Sequence, residues 1–169
     1  MTNITAGTKS DPAPFKCSPM LVEPQWTDYN GHLNMAYYNV LFDRALDEVF
    51  AAVGLGPDYL KTSHHSSFTA EAHVTYLNEL HAGEMVTIAF RLLDYDEKRL
   101  HSFEEMYSSD GTLSATSEQM SLHVDMESRK VAPFPQAILD RLKAMHSSHA
   151  ALANSPQVGH VIGIRRKPR

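Results

Sequence analysis

Trp26-Thr27-Asp28-Tyr29-Asn30-Gly31-His32-Leu33-Asn34-Met35-Ala36-Tyr37-Tyr38 sets one carboxylate, Asp28, three residues before a glycine and crowds Asn30, His32 and Asn34 onto the same turn. Directly after it, from Asn34 to Val53, apolar residues recur at three- and four-residue steps: Tyr38, Leu41, Phe42, Ala45, Val49, Ala52 and Val53. Asp43, Arg44, Asp47 and Glu48 occupy much of the remaining surface. The spacing predicts an amphipathic helix of about 20 residues, roughly 30 Å long. Asn34 is a plausible N-cap, and Gly54 with Gly56-Pro57 is the stop. The first turn of a helix carries unpaired N–H groups. A carboxylate delivered there can attack a carbonyl whose oxygen those groups polarise.

Working outward, Phe15 to Glu23 reads as a first strand, with Pro19 confining it to an edge or a bulge. Beyond the helix, a loop over Lys61 to Ser67 leads into period-two segments. Phe68 to Leu77 alternates Ala70, Ala72, Val74 and Tyr76 against Glu71, His73 and Thr75. Further strands are expected over Met85 to Leu93, Leu100 to Ser108 and Leu113 to Met126. Ser109-Asp110-Gly111 is a hairpin turn. Pro133-Phe134-Pro135 ends the sheet, and Ala137 to Ala151 reads as a second helix. Residues 1–14 form a loose arm, 15–153 one domain, and 154–169 a tail that ends basic. The connections between strands are short, so a meander of four antiparallel strands is expected. The long helix must bury its stripe against that sheet. The expected class is α+β, with an antiparallel sheet wrapped around one central helix and an extra helix near the C-terminus.

Composition bounds the function. A chain of 169 residues can build one core without disulfides, and its single Cys17 suits a reducing compartment. A formal net charge of −5 argues against non-specific nucleic-acid binding. No apolar run is long enough to span a membrane, and the N-terminus lacks a secretory layout. A cytoplasmic protein is expected. The ten histidines show no HExxH or cysteine-rich spacing, so neither a metal nor a cofactor is expected.

The element order and the motif resemble the hot-dog fold of acyl-CoA thioesterases, in particular the 4-hydroxybenzoyl-CoA thioesterase-like group. Asp28, Gly31, Tyr38 and Asp43 stand where that group has its aspartate, glycine, aromatic helix start and second aspartate. Asp28 to Asn34 is also similar to the aspartate–asparagine–histidine signature of acyl-carrier-protein thioesterases. More narrowly, Asp28 to Asp43, Glu71 to Leu80, Lys98 to Tyr107 and Thr116 to Asp125 resemble the betainyl-CoA thioesterases of bacterial carnitine breakdown. The helix after Pro135 and the ending Ile162-Gly163-Ile164-Arg165 fit the same subgroup.

The resemblance implies an acyl-CoA substrate and a homodimer or tetramer with sites between subunits. Asp28 would be the nucleophile or the base that activates water, and the Met35 N–H would hold the oxyanion. A thiolate leaves readily (thiol pKa about 8.5), so no strong acid is required. His32 would orient Asp28, position water or bond the turn. Asn30 and Asn34 read more readily as caps. A quaternary-ammonium acyl group would be walled by aromatic residues, with Trp26, Tyr29, Tyr37, Tyr38 and Tyr76 as candidates. Glu71 is either a solvated sheet residue, a partner for that cation or a second catalytic carboxylate. Lys98 and Arg99 open the third of these strands, where the family contacts CoA phosphates. Other readings are an acyl-carrier-protein thioesterase and a non-catalytic acyl-CoA-binding regulator on the same fold.

Overall fold

The computed structural model describes residues 13–164 and residue 166. Most of the expected N-terminal arm, and Arg165 with residues 167–169 of the tail, lie outside the described residues. The long helix α1 spans Met35–Val53. Asn34 caps it by accepting from the Ala36 N–H at 3.0 Å, and Gly54 ends it in the left-handed region at φ 85°. Tyr38, Leu41, Phe42, Ala45, Leu46, Val49 and Val53 are buried on one side. That stripe packs into a core with Val86, Ile88, Phe90 and Leu92 of one strand and Leu100 and Met106 of the next.

The strands are β1 (Phe15–Lys16), β2 (Met20–Leu21), β3 (His65–Tyr76), β4 (Met85–Tyr95), β5 (Arg99–Ser108), β6 (Leu113–Asp125) and β7 (Lys130–Val131). They form one antiparallel sheet in the order β1-β4-β5-β6-β3, with β2 also on β4 and β7 on β6. Helix α2 (Pro57–Ser63) follows α1, and α3 (Gln136–His149) follows the sheet. The result is a sheet curled around one long helix with a further helix at the C-terminal end, the hot-dog arrangement.

Three expectations need correction. The first strand is two short pieces, because Pro19 lacks the N–H that an unbroken ladder needs. The segment Lys61 to Ser67, expected as a loop, is instead the last turn of α2, which Pro57 starts, and the first residues of β3; no α2 residue is buried, so that helix leaves no apolar period. Only β4, β5 and β6 form a meander, since β3 pairs with β6. The chain between β3 and β4 therefore runs from one edge of the sheet to the other, held by fully buried Leu80, whose carbonyl accepts from the Leu33 N–H at 2.7 Å. A bulge between Thr69 and Glu71 leaves Ala70 without a register partner. Beyond it the expected alternation holds: Val74 packs on the core and Tyr76 meets Tyr38.

The two sheet edges differ. β1 and β2 cover much of β4, and α3 reaches its far end, where the Leu92 N–H donates to His149 Nδ1 at 3.0 Å. β3 has twelve residues, none of them buried, and among the described residues it pairs only with β6.

Candidate active site

The quoted stretch folds into a tight turn ahead of α1. The Gly31 N–H donates to the Asp28 carbonyl at 3.0 Å, and Gly31 adopts φ 79°, which a side chain would strain. The Asp28 N–H donates to the His32 carbonyl at 2.9 Å. Asp28 Oδ1 accepts from the N–H groups of Asn30 at 2.8 Å and His32 at 3.3 Å. These backbone contacts fix the carboxylate, and Oδ2 takes no hydrogen bond among the described residues. Leu33 and Trp26, both buried, anchor the turn to the core.

Asp28, His32, Asn34, Met35 and Tyr38 line one cleft of about 460 Å³, together with Tyr76, Leu77, Asn78 and Glu79 from the end of β3 and the residues after it. The Met35 N–H opens α1 and finds no acceptor among the described residues. Tyr38 and Tyr76 meet edge to face, with ring centroids 5.1 Å apart. The Tyr76 hydroxyl donates to the Met35 carbonyl at 3.3 Å, tying β3 to the first turn of the helix. Burial raises the pKa of the Tyr38 phenol, so it stays neutral. His32 reaches Asp28 through its backbone alone; its Nε2 faces Glu79 Oε2 at 3.2 Å. Leu77, Asn78 and Glu79 are cleft residues not singled out from the sequence, and Glu79 is the charged one among them; no periodic or spacing signal marks it.

The remaining residues singled out from the sequence lie elsewhere. Trp26 is buried, stacked on Tyr37 at 5.4 Å, and its ring is already covered by the Arg44 guanidinium at 5.0 Å. Tyr29 is 97% exposed at the turn tip, and Asn30 contributes its backbone N–H. Glu71 lines a different hollow with His73, His101 and Glu118. Lys98 pairs with Glu97 at 3.1 Å and Arg99 with Asp96 at 2.5 Å. Both stand beyond the far end of β4 from the cleft, roughly 30 Å away along eleven residues of extended chain. Cys17 is buried, donates to the Ala45 carbonyl, and has its pKa pushed up to about 12 by burial, so it is no nucleophile.

A carboxylate and a helix-terminal N–H lining one cleft of a hot-dog domain are groups that thioester hydrolysis can use. The chain belongs to the thioesterase-like superfamily, which matches residues 22–142. It is 41% identical to the betainyl-CoA thioesterase of Pseudomonas aeruginosa over 85% of this chain and 91% of that protein. It is 34% identical to a Rhizobium L-carnitine dehydrogenase/betainyl-CoA thioesterase, covering 92% of this chain but 31% of that longer protein. Among solved structures, a Staphylococcus aureus protein in complex with CoA superposes with a TM-score of 0.84 at 30% identity, covering 89% of this chain and 95% of that one. A candidate thioesterase of Pseudomonas putida gives 0.80 at 32% identity, covering 92% and 99%.

Proposed function

We propose that this protein hydrolyses betainyl-CoA to glycine betaine and CoA, working as a homodimer or larger assembly of copies paired through β3. The observation that carries the reading is the cleft itself. It brings Asp28 and Met35 to one cleft and adds two tyrosine rings and the Glu79 carboxylate.

The reaction needs few groups. With Asp28 as base, a water gives its proton to the carboxylate and its oxygen adds to the thioester carbon. The carbonyl oxygen becomes an oxyanion and accepts from the Met35 N–H, an interaction that is strongest when the charge develops. Collapse of the adduct breaks the carbon–sulfur bond. The thiolate departs and takes a proton, leaving the acid as carboxylate. Alternatively Asp28 adds directly, giving an anhydride that water then opens; the free Oδ2 serves either route.

The acyl group of betainyl-CoA ends in a trimethylammonium. Such a cation cannot donate a hydrogen bond, so it is recognised by ring faces and by net negative charge, with about 0.5–2 kcal/mol per aromatic contact. Tyr38, Tyr76 and Glu79 supply both within the cleft. Lys98 and Arg99, at the far end of the same subunit, can reach the CoA phosphates only from a neighbouring copy.

The test is CoA release from betainyl-CoA and from tert-butylacetyl-CoA, its neutral isostere. A clearly higher kcat/KM for the cation is expected. Equal values would discard the substrate assignment, and no release from any acyl-CoA of a short, aromatic and cationic panel would discard the activity.

A further inference from the structure

At the rim of the cleft, His32 and Glu79 also belong, with His81, to a second constellation that thioester hydrolysis does not require. His32, Glu79 and His81 each present one ligand atom, and the three atoms lie within 4.8 Å of one another. His32 and His81 face each other across an isolated antiparallel bridge, their rings edge to face at 5.1 Å. Their chain neighbours Leu33 and Leu80 are buried and joined by a 2.7 Å backbone bond, so the two imidazoles project from an anchored frame. The His81 N–H donates to Glu84 Oε1 at 3.1 Å, which fixes that backbone further. His81 Nδ1 lies 3.3 Å from the Gly31 carbonyl. An N–H donated there leaves Nε2 as the free lone pair, the usual way a ligating histidine is oriented by a second partner. His32 Nε2 already meets the Glu79 carboxylate at 3.2 Å.

We propose that His32, Glu79 and His81 form a binding site for a divalent transition metal of the zinc type, and that its occupation closes the cleft to a cationic acyl group. Two imidazoles and a carboxylate are a zinc donor set, and a tetrahedral ion would leave one position for water or substrate oxygen. Bonds of about 2.0–2.2 Å set ligand atoms roughly 3.3 Å apart. Closing from 4.8 Å needs only side-chain rotation, for which Glu79, two-thirds exposed, has room. The electrostatic consequence is direct. Without metal the cleft presents the carboxylates of Asp28 and Glu79; with it, a double positive charge stands at their side and opposes a trimethylammonium at short range. The metal is thus an inhibitor of the proposed reaction, not its catalyst. Only this inhibition rests on the proposed substrate; the binding site does not.

The experiment is Zn²⁺ titration of the metal-free protein by calorimetry, with Co²⁺ as a visible-absorption probe, for the unaltered chain and for His81→Asn. The asparagine amide keeps a donor near the Nδ1 position and deletes the Nε2 ligand. One Zn²⁺ per chain is expected, with a Co²⁺ band of a low-coordinate nitrogen–oxygen site. His81→Asn should weaken binding by more than the roughly 10–100-fold that loss of an outer partner costs. Its metal-free turnover should be unchanged and should resist Zn²⁺. Binding of equal strength in His81→Asn, or none in the unaltered chain, would overturn the site. Binding that depends on His81 in a protein inactive on betainyl-CoA would sink the substrate proposal and leave the site standing.

Discussion

Tyr76 and Glu104 are the two side chains whose surroundings say most. Tyr76 is 42% exposed and contributes a ring to the cleft without holding the core together. Tyr76→Leu is therefore expected to lower kcat/KM on betainyl-CoA by about 2–30-fold, the equivalent of 0.5–2 kcal/mol, and to spare tert-butylacetyl-CoA. Equal loss on both would assign Tyr76 a structural role through its bond to the Met35 carbonyl. Glu104 is fully buried in the sheet beneath α1; Oε2 accepts from the Gln119 amide at 2.7 Å and Oε1 has no partner among the described residues. Burial, and then the Asp43 charge, raise its pKa well above the ordinary 4.5. A carboxyl whose folded pKa is raised holds its proton where the unfolded chain has lost it. Stability therefore falls as pH rises from about 4.5 toward the folded value. Glu104→Gln should flatten that decline, measured as Tm against pH; an unchanged slope would mean that Glu104 is ionised in the fold. At this scale the sequence is legible where neighbours carry the chemistry. Asp28, His32, Asn34, Met35 and Tyr38 share one turn and the helix start, so all five are found together in the cleft. Trp26 belongs to the same run but faces the other way, into a stack with Tyr37 and Arg44. Its direction follows from packing and not from its place in the run.

Helix α1 is the element on which the proposed site depends, since its first N–H is the proposed oxyanion donor. Asn34 holds that end through the Ala36 N–H. Asn34→Ala should cost about 0.5–2 kcal/mol in urea unfolding and lower kcat as well, because the first turn frays at the reacting atoms. A stability loss without any change in kcat would remove the helix end from the mechanism. The helix is readable because its stripe, cap and terminal glycine agree with one another. Strand β3 is readable as a strand, yet neither its bulge nor its partner is. Alternating residues look the same whichever neighbour they pair with, and the choice of β6 is made by how the chain crosses after Tyr76. Glu79 and His81 lie in that crossing, which explains why no local pattern reveals that they meet His32.

At the scale of the whole molecule, β3 pairs only with β6 among the described residues, so its other backbone edge has no strand on it. A twelve-residue strand with no buried residue is a poor edge for a solitary chain, because its free N–H and C=O groups invite pairing. A hollow of about 660 Å³ beside it is lined by Asp43, Asp47, Phe50 and Phe68, so both polar and apolar surface is open there. Sedimentation should give at least twice the 18.9 kDa chain mass. Phe68→Asp should shift the protein toward monomer and reduce turnover together. A monomer in the unaltered protein would refute pairing through β3, and a fully active monomer would show that each chain holds a complete site. No helix among the described residues is long and apolar enough to cross a membrane.

The most direct measurement is turnover of betainyl-CoA by Asp28→Asn at matched Tm. The amide oxygen keeps an acceptor for the Asn30 and His32 N–H groups, so the turn should survive while the base or nucleophile is gone. A loss of about 10²–10⁴-fold in kcat with an unchanged fold is expected. A variant that folds normally and retains near-native turnover would contradict the assignment of the chemistry to Asp28.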